Sequence, residues 1–505
     1  MTAGVKFLPE SAGHDDARST RPHAPPHRAP SGRPRRPRRH RARPAAVAEL
    51  ARQVGGPVFR PGDEGYDAER SGFQAGHRHR PAVIVGATNA ADVAAAVAFA
   101  RARHLPVAVQ ATGHGLSSAT DGGLLISTRR MTDVTVDPAT CTARVAAGAV
   151  WGQVVAAAAP HGLAPLNGSS PGVGVVSYTL GGGVGVLART YGFAADHVRA
   201  VELVTADARR VRVTPDTDPD LFWGLLGGGH GLGVVTGMEF ALLPVARLYG
   251  GQLVFGAEQI DAALAAYLRW TETVPDTLTS SLALVVYPDL PQLPPTLRGR
   301  HLLQIRIAFT GPAEEGERLV APLRAIGPAV ADDLRDMPYE ESHTIHRDPS
   351  DPHAYNGDNA LLDGLDAAAL QRVAALTGPA APVMVVVQLN HLGGALATGP
   401  TGGAGAGAVG HRAARFALRV LSPLGDADPA GDLATVREVH AAALAAVAPW
   451  RIGRSVNFLL GEQRGRADAA AVAGSTHGSA TRARLAELRA AHDPENVFRF
   501  HPYAG

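Results

Sequence analysis

Residue types and spacing first suggest chemistry in two glycine-dense segments, "LNGSSPGVGVVSYTLGGGVGVLARTYGFAADHV" from Leu166 and "LFWGLLGGGHGLGVVTGMEF" from Leu221. Glycine at this density lets backbone N–H groups approach a ligand closely and gather into anion-binding nests. These turns abut β-branched runs, which favours ligand binding over flexible loops or tight packing alone. A third pattern, G-x-G-x-x-G at residues 405–410, matches the dinucleotide fingerprint but is read as a decoy. That fingerprint works when a strand delivers its glycines to a helix N-terminus, and here the loop-like "ATGPTGG" precedes it. A nicotinamide-dependent dehydrogenase therefore rests on those glycines only. The single cysteine, Cys141, excludes an internal disulfide and any Cys-rich zinc or iron–sulfur site, and no metal is expected.

Turns of this kind need strands and helices to hold them. From Pro81 the run "AVIVGA" predicts a strand, and "NAADVAAAVAFARARHL" a helix with Asn89 as cap and Asp92 in the capping-box position. "PVAVQATGHG" is strand-like and ends in a small-residue turn, followed by strands at "GGLLIS" and the pair "TDVTVDP"/"CTARVAAGA" with Cys141 in the hairpin. "WGQVVAAAAPHG" predicts a helix stopped by Gly162, and "RAVELVTADARRVRV" is strand-like. The texture changes between residues 246 and 445, with a Pro-rich break at "YPDLPQLPPTLRGR". Strands are predicted there at "HLLQIRIAF" and "PVMVVVQLNHLGGAL", and helices near "GERLVAPLRAI" and "DAAALQRVAAL". The chain closes on a helix, "SATRARLAELRAAH", halted by Asp493-Pro494.

At 505 residues the chain exceeds the length at which a single core stops growing, so more than one packed unit is expected. With 45% hydrophobic and 19% charged residues it has the composition of a soluble globular protein, and no apolar run approaches the roughly 18 residues that span a bilayer. Residues 1–43 hold 11 Lys or Arg against three acids, a balance of +8 that leaves the remainder at −6. This Pro/Arg-rich stretch cannot bury enough apolar surface to offset its ordering entropy and is read as a disordered tail, a dispensable extension rather than a nucleic-acid arm. No apolar h-region follows its arginine pairs, so export is not expected and the lone cysteine suits a cytoplasmic protein.

The segments "VAVQATGHGLSSATDGGLLISTRRM", "GSSPGVG...LGGGVG...YG..ADHV", "LFWGLLGGGHGLGVVT" and "HDPENVFRF" resemble the berberine bridge enzyme-like FAD-linked oxidases of the vanillyl-alcohol oxidase superfamily. The likeness covers residues 47–245 and 446–505; the middle of the chain shares only the general layout. The resemblance implies an α+β fold. In it, a two-part FAD-binding domain of the p-cresol methylhydroxylase (PCMH) type is formed by residues 44–245 with a C-terminal return at 446–505. Residues 246–445 form a substrate domain with an antiparallel sheet covered by helices.

By that resemblance FAD bonds covalently to His114, and the pyrophosphate turn falls on Gln110, Ala111, Thr112, Gly113 and Gly115, where the family commonly has an arginine and more glycine. The second attachment of bicovalent members uses a cysteine, and Ser170 stands there after Ser169, so the linkage is expected through His114 alone. Val173 implies room for oxygen above the flavin and Gly174 belongs to the same loop. Tyr178 replaces a histidine that supports the flavin N1 region; it can donate a hydrogen bond but carries no positive charge near neutral pH. Gly233, Val235 and Asn457 complete the expected cofactor contacts. Catalysis needs a group to take the substrate proton while hydride moves to flavin N5. Many relatives have a tyrosine where Ser455 stands, and serine is a poor base, so the candidates are Tyr503, Gln388 and Asn390, with His391 and His501 behind them. The expected partners are a small organic molecule (an alcohol, a sugar or a natural-product intermediate) and molecular oxygen, with no nucleic acid and no membrane. The rival readings are a flavin dehydrogenase using another acceptor and a nucleic-acid-binding protein acting through its basic tail.

Overall fold

The computed structural model describes residues 43–116, 119–291, 293–399, 407–425, 429–461 and 468–499. The tail read at residues 1–43 falls outside these except for Arg43, as do His501, Tyr503 and the start of the 405–410 glycine pattern.

Three sheets organise the described chain. The first has the order β1-β2-β4-β3, from β1 (Val58–Phe59), β2 (Val83–Gly86), β3 (Val107–Gln110) and β4 (Leu124–Ser127). Its β2-β4 and β3-β4 pairs are parallel. All four residues of β2 and of β4 are buried, which is why these strands read as unbroken apolar runs. The helix Ala90–Arg101 packs on this sheet through Val93, Ala96 and Val97. Asn89 caps it as expected, accepting from the N–H groups of Ala91 and Asp92. The carboxylate of Asp92 departs from a capping box: it accepts from the N–H of Gly55 at 2.8 Å and of Thr88 at 2.9 Å, tying the first turn to the preceding chain.

The second sheet is antiparallel, order β5-β6-β9-β7-β8, from β5 (Val134–Asp137), β6 (Thr142–Ala146), β7 (Val198–Val204), β8 (Arg210–Val213) and β9 (Val234–Ala241). Cys141 turns the β5-β6 hairpin at φ +49°, and the segment read as one strand-like stretch from Arg199 is the β7-β8 hairpin. Helices Trp151–Ala158, Val175–Leu180 and Pro219–Gly228 bury their apolar sides against this sheet, which brings both glycine-dense segments alongside it.

The third sheet, antiparallel throughout, follows the path β13-β10-β12-β11-β16-β17-β15-β18, with β14 paired to β10. Its strands are β10 (Arg247–Phe255), β11 (Leu278–Val286), β12 (His301–Phe309), β13 (Ala331–Asp332), β14 (Arg335–Pro338), β15 (Tyr355–Leu362), β16 (Val386–His391), β17 (Phe416–Pro423) and β18 (Arg451–Gly453). One face meets residues from the helices Ile260–Thr271, Ala313–Arg324, Ala367–Thr377 and Pro429–Ala445 through Leu282, Leu303, Ile305, Val387, Leu389 and Leu418. Burial of each such side chain contributes about 1.5–3 kcal/mol. This is the helix-covered antiparallel sheet expected from the sequence. Because successive side chains of a strand point to opposite faces, the partners of those core residues are all delivered to the other side. No helix among the described residues is long and apolar enough to cross a membrane.

Candidate active site

The uncovered face of the third sheet forms one wall of a cavity of about 640 Å³, and β3, both glycine-dense segments and residues 456–458 contribute to the others. That volume lies within the range of cofactor and small-molecule sites.

At one wall the turn after β3 presents His114. Its imidazole stacks on the Phe73 ring, centroids 3.8 Å apart and planes 11° from parallel, and its Nδ1 lies 3.2 Å from the Thr112 hydroxyl. Its carbonyl accepts from the Tyr355 hydroxyl on β15. Phe73 and Gln74 donate backbone hydrogen bonds to the Thr112 and Gly113 carbonyls, so the turn is clamped from outside. Gly113 adopts φ +73°, and a Cβ there would lie 2.8 Å from the Gly72 Cα. Gln110 is turned inward: its Oε1 faces His79 Nε2 at 3.0 Å and its Nε2 donates to the Ser71 carbonyl. Burial pushes the His114 pKa down to about 4, leaving a neutral imidazole at physiological pH. Its Nε2 has no hydrogen-bond partner among the described residues.

The geometry of this wall fits a flavin nucleotide. The backbone N–H groups of Ala111, Thr112, Gly113, His114 and Gly115 donate to no described residue, and such a run of free donors is an anion nest of the kind that takes a pyrophosphate. A Cβ built on Gly115 meets nothing within 4 Å, so the turn leaves open space in front of it. Val109, also on the cavity wall, is 46% exposed, an apolar surface available to a ring.

The other expected cofactor residues are distributed around the same cavity, which Ser169, Ser170, Val173, Gly233, Val235 and Asn457 all line. Ser169 donates to the Asp348 carboxylate. Gly174 follows Val173 and packs toward Thr112 of the turn. Asn457 donates from Nδ2 to the Tyr178 carbonyl at 2.9 Å, tying the C-terminal segment to the helix Val175–Leu180. Tyr178 also lines the cavity, but its hydroxyl is fully enclosed beside Gly168 and Gly185 and has no hydrogen-bond partner. The phenol that was expected to support the flavin by a hydrogen bond is thus sealed from the cavity, because the glycines leave a slot that the ring fills.

Of the catalytic candidates, Gln388 and Asn390 face the cavity from β16, and Asn390 Oδ1 is buried without a partner. His391, one residue on, points to the opposite face, where its ring stacks with Phe416 and its Nε2 accepts from Arg189 at 2.9 Å. Ser455 is engaged through its backbone with the Asn359 side chain.

Sequence reasoning missed the charged residues of this wall: Arg306 on β12, Arg419 on β17, and His346 and Asp348 in the loop before β15. Their signal was an arginine in the middle of an otherwise apolar strand, "QIRIA" and "ALRVL". Asp348 lines the cavity, to which it is exposed. Burial by itself raises its pKa, but His346, Arg306 and the Ser169 hydroxyl together hold it below the ordinary carboxylate range. Burial and the neighbouring Arg306 push His346 well down, so it too is neutral. Burial lowers Arg419 to about 10, which keeps it charged at neutral pH.

Comparison with known proteins bears on this arrangement. Residues 81–214 match a family model described as an FAD binding domain. The (R)-6-hydroxynicotine oxidase of Paenarthrobacter nicotinovorans is 31% identical over 299 residues, 57% of this chain and 62% of that protein, so the match spans less than two thirds of the relative. The crystal structure of 6-hydroxy-D-nicotine oxidase from Arthrobacter nicotinovorans superposes with a TM-score of 0.75 at 25% identity, covering 89% of this chain and 97% of the other. The glucooligosaccharide oxidase of Acremonium strictum, which carries a 6-S-cysteinyl, 8α-N1-histidyl FAD, gives a TM-score of 0.76 at 21% identity over 91% of this chain and 99% of that one.

Proposed function

We propose that this chain, whose residues 81–214 match an FAD binding domain, belongs to the FAD-linked oxidoreductases of the PCMH and berberine bridge enzyme-like superfamily and oxidises a small organic molecule with FAD held covalently by His114 alone and with oxygen as the final acceptor. The observation that carries the reading is His114 itself: a neutral imidazole at the cavity wall, pinned by Phe73 and beside a row of free backbone donors. Those donors, from Ala111 to Gly115, would hold the pyrophosphate where an arginine is absent. Ser170 offers no thiolate, which supports a single linkage in contrast to the cysteinyl and histidyl pair named for the glucooligosaccharide oxidase.

The chemistry FAD supplies when bound is acceptance of a hydride from the substrate carbon and return of the electron pair to oxygen, giving hydrogen peroxide. The chain's part is to position the substrate and take its proton. Gln388 and Asn390 carry amides, which orient but do not accept a proton near neutral pH. Among the titratable groups that line the cavity, which include His79, His230 and His353, the Asp348 carboxylate and the His346 imidazole lie beside the Arg306 side chain of the sheet wall, and we assign proton transfer to this pair. Val173 lines the cavity beside the Ser170 turn and would shape the space left for oxygen. The single cysteine suits work in the cytoplasm.

Acid precipitation of purified protein tests the linkage. The expected result is yellow colour that stays with the wild-type pellet and leaves with the supernatant for His114→Ala, together with peroxide released during turnover. Flavin wholly in the wild-type supernatant overturns the covalent bond. Turnover with a dye but without peroxide overturns the oxygen acceptor in favour of a dehydrogenase, and a protein that takes up no FAD overturns the reading altogether.

A further inference from the structure

The sheet wall of the cavity is a grid whose composition points to one class of substrate, provided the site is the flavin site argued above. Cross-strand register sets Arg306 opposite Ser281 and Ser281 opposite Asn390 in one row, and Gln388 opposite Arg419 in the next. One step further along, Val386 stands opposite Leu421, so the wall passes from polar to apolar.

The polar rows are short of partners. The Arg419 side chain forms no hydrogen bond or ion pair with any described residue, and its guanidinium lies over the Phe458 ring at 4.0 Å, which holds the planar group without using its N–H donors. Arg306 donates to Gln304 Oε1 at 2.7 Å and lies 3.4 Å from His346 Nδ1, but its Nε is buried and unpartnered, as is Ser281 Oγ. Buried guanidinium groups are costly unless paired. Asp348 is the one carboxylate among the described residues lining the cavity, and it balances one of the two guanidiniums. The other has no second carboxylate to pair with among the described residues that line the cavity.

We propose that the substrate carries a carboxylate, which Arg419 and Arg306 clamp against the polar rows of the third sheet while its apolar body lies along Val386 and Leu421. A planar guanidinium fork matches a carboxylate in geometry as well as charge. Neutral sugars and alcohols would leave the half-buried Arg419 guanidinium without a charged partner.

The test uses the flavin-loaded protein and three acids, benzoate, phenylacetate and hexanoate, each titrated beside its primary amide. Binding is followed by the flavin visible band and by calorimetry. The expected result is that at least one acid binds about 30-fold or more tightly than its amide, the fold-change that corresponds to loss of one buried charge pair. Arg419→Gln should abolish that preference and leave the amide constant within about twofold, and Arg419→Lys, which keeps the charge but not the fork, should restore part of it. Circular dichroism melting of each variant separates loss of binding from loss of fold. No acid binding more tightly than its amide overturns the proposal, as does a preference that survives in both Arg419→Gln and Arg306→Gln. A protein without a flavin band fails the cofactor reading separately, since calorimetry on the flavin-free chain still reports the preference for acid over amide.

Discussion

Around His114 the side chains are partnered and the backbone is open: Thr112, Gln110 and Tyr355 all spend their polar atoms on the protein, while the N–H groups of the turn face the cavity. On the sheet wall the backbone is consumed by the ladders, and side-chain atoms of Arg306, Arg419, Ser281 and Asn390 are left without hydrogen-bond partners. The contrast separates two modes of recognition. A ligand read by backbone donors depends on the path of the chain and tolerates a turn such as this one, without arginine. A ligand read by side chains depends on which residue stands at each strand position, so this wall can change its substrate without altering the fold.

The two faces of the third sheet sharpen the same contrast, and the largest effect is expected on the covered one. Ile305→Ala, at a fully buried position, should cost about 3 kcal/mol of stability by urea denaturation and leave the preference for acid over amide intact. If acid binding fell with it, the two faces would not be separable.

A pH titration comes next. Burial, with the charges of Arg189 and Arg415, pushes His391 on the covered face from 6.5 to about 3. Between those values the unfolded chain takes up a proton that the folded chain refuses, so stability is full above about pH 6.5 and falls as the pH drops. The expected loss is about 2 kcal/mol by pH 5. His391→Gln should reduce the pH dependence of urea midpoints between pH 7 and pH 5 by that amount, leaving the share of the other buried histidines such as His114 and His346; an unchanged slope would assign it wholly to them.

At the cofactor wall, Phe73→Leu should leave FAD bound but slow covalent attachment about tenfold, the worth of one stacked pair, read as acid-precipitable flavin against time. Attachment at the wild-type rate would mean that the stack does not position the imidazole. The smallest effect belongs to Tyr178→Phe. Removing a hydroxyl that has no partner should change stability by less than about 1 kcal/mol and leave the flavin spectrum as it was. A shifted spectrum would mean that the phenol reaches the cofactor.

Much of the secondary structure was legible in local pattern. The run "HLLQIRIAF" is β12 residue for residue, Asn89 caps its helix, and Cys141 sits in its hairpin. Asp92 was misjudged because a carboxylate one turn into a helix can reach either the cap or the preceding chain, and the approach of Gly55 decides between them. That the residues around His114 and around Ser170 line the cavity was legible because each group is contiguous in sequence. The charged wall was not. Arg306 and Arg419 are far apart in the chain, and β12 and β17 are brought to the same side of the cavity by the two strands that separate them in the sheet.

By itself the sequence determined many of the elements and the glycine turns, because these depend on interactions a few residues apart. Only the tertiary structure decided which face of each strand meets the cavity, sealed the Tyr178 hydroxyl and left the Arg419 guanidinium without a partner. Side-chain alternation defines two faces of a strand but does not say which one will be covered; that follows from where the helices pack, and their apolar sides select Ile305, Leu389 and Leu418 and deliver Arg306, Asn390 and Arg419 to the other side.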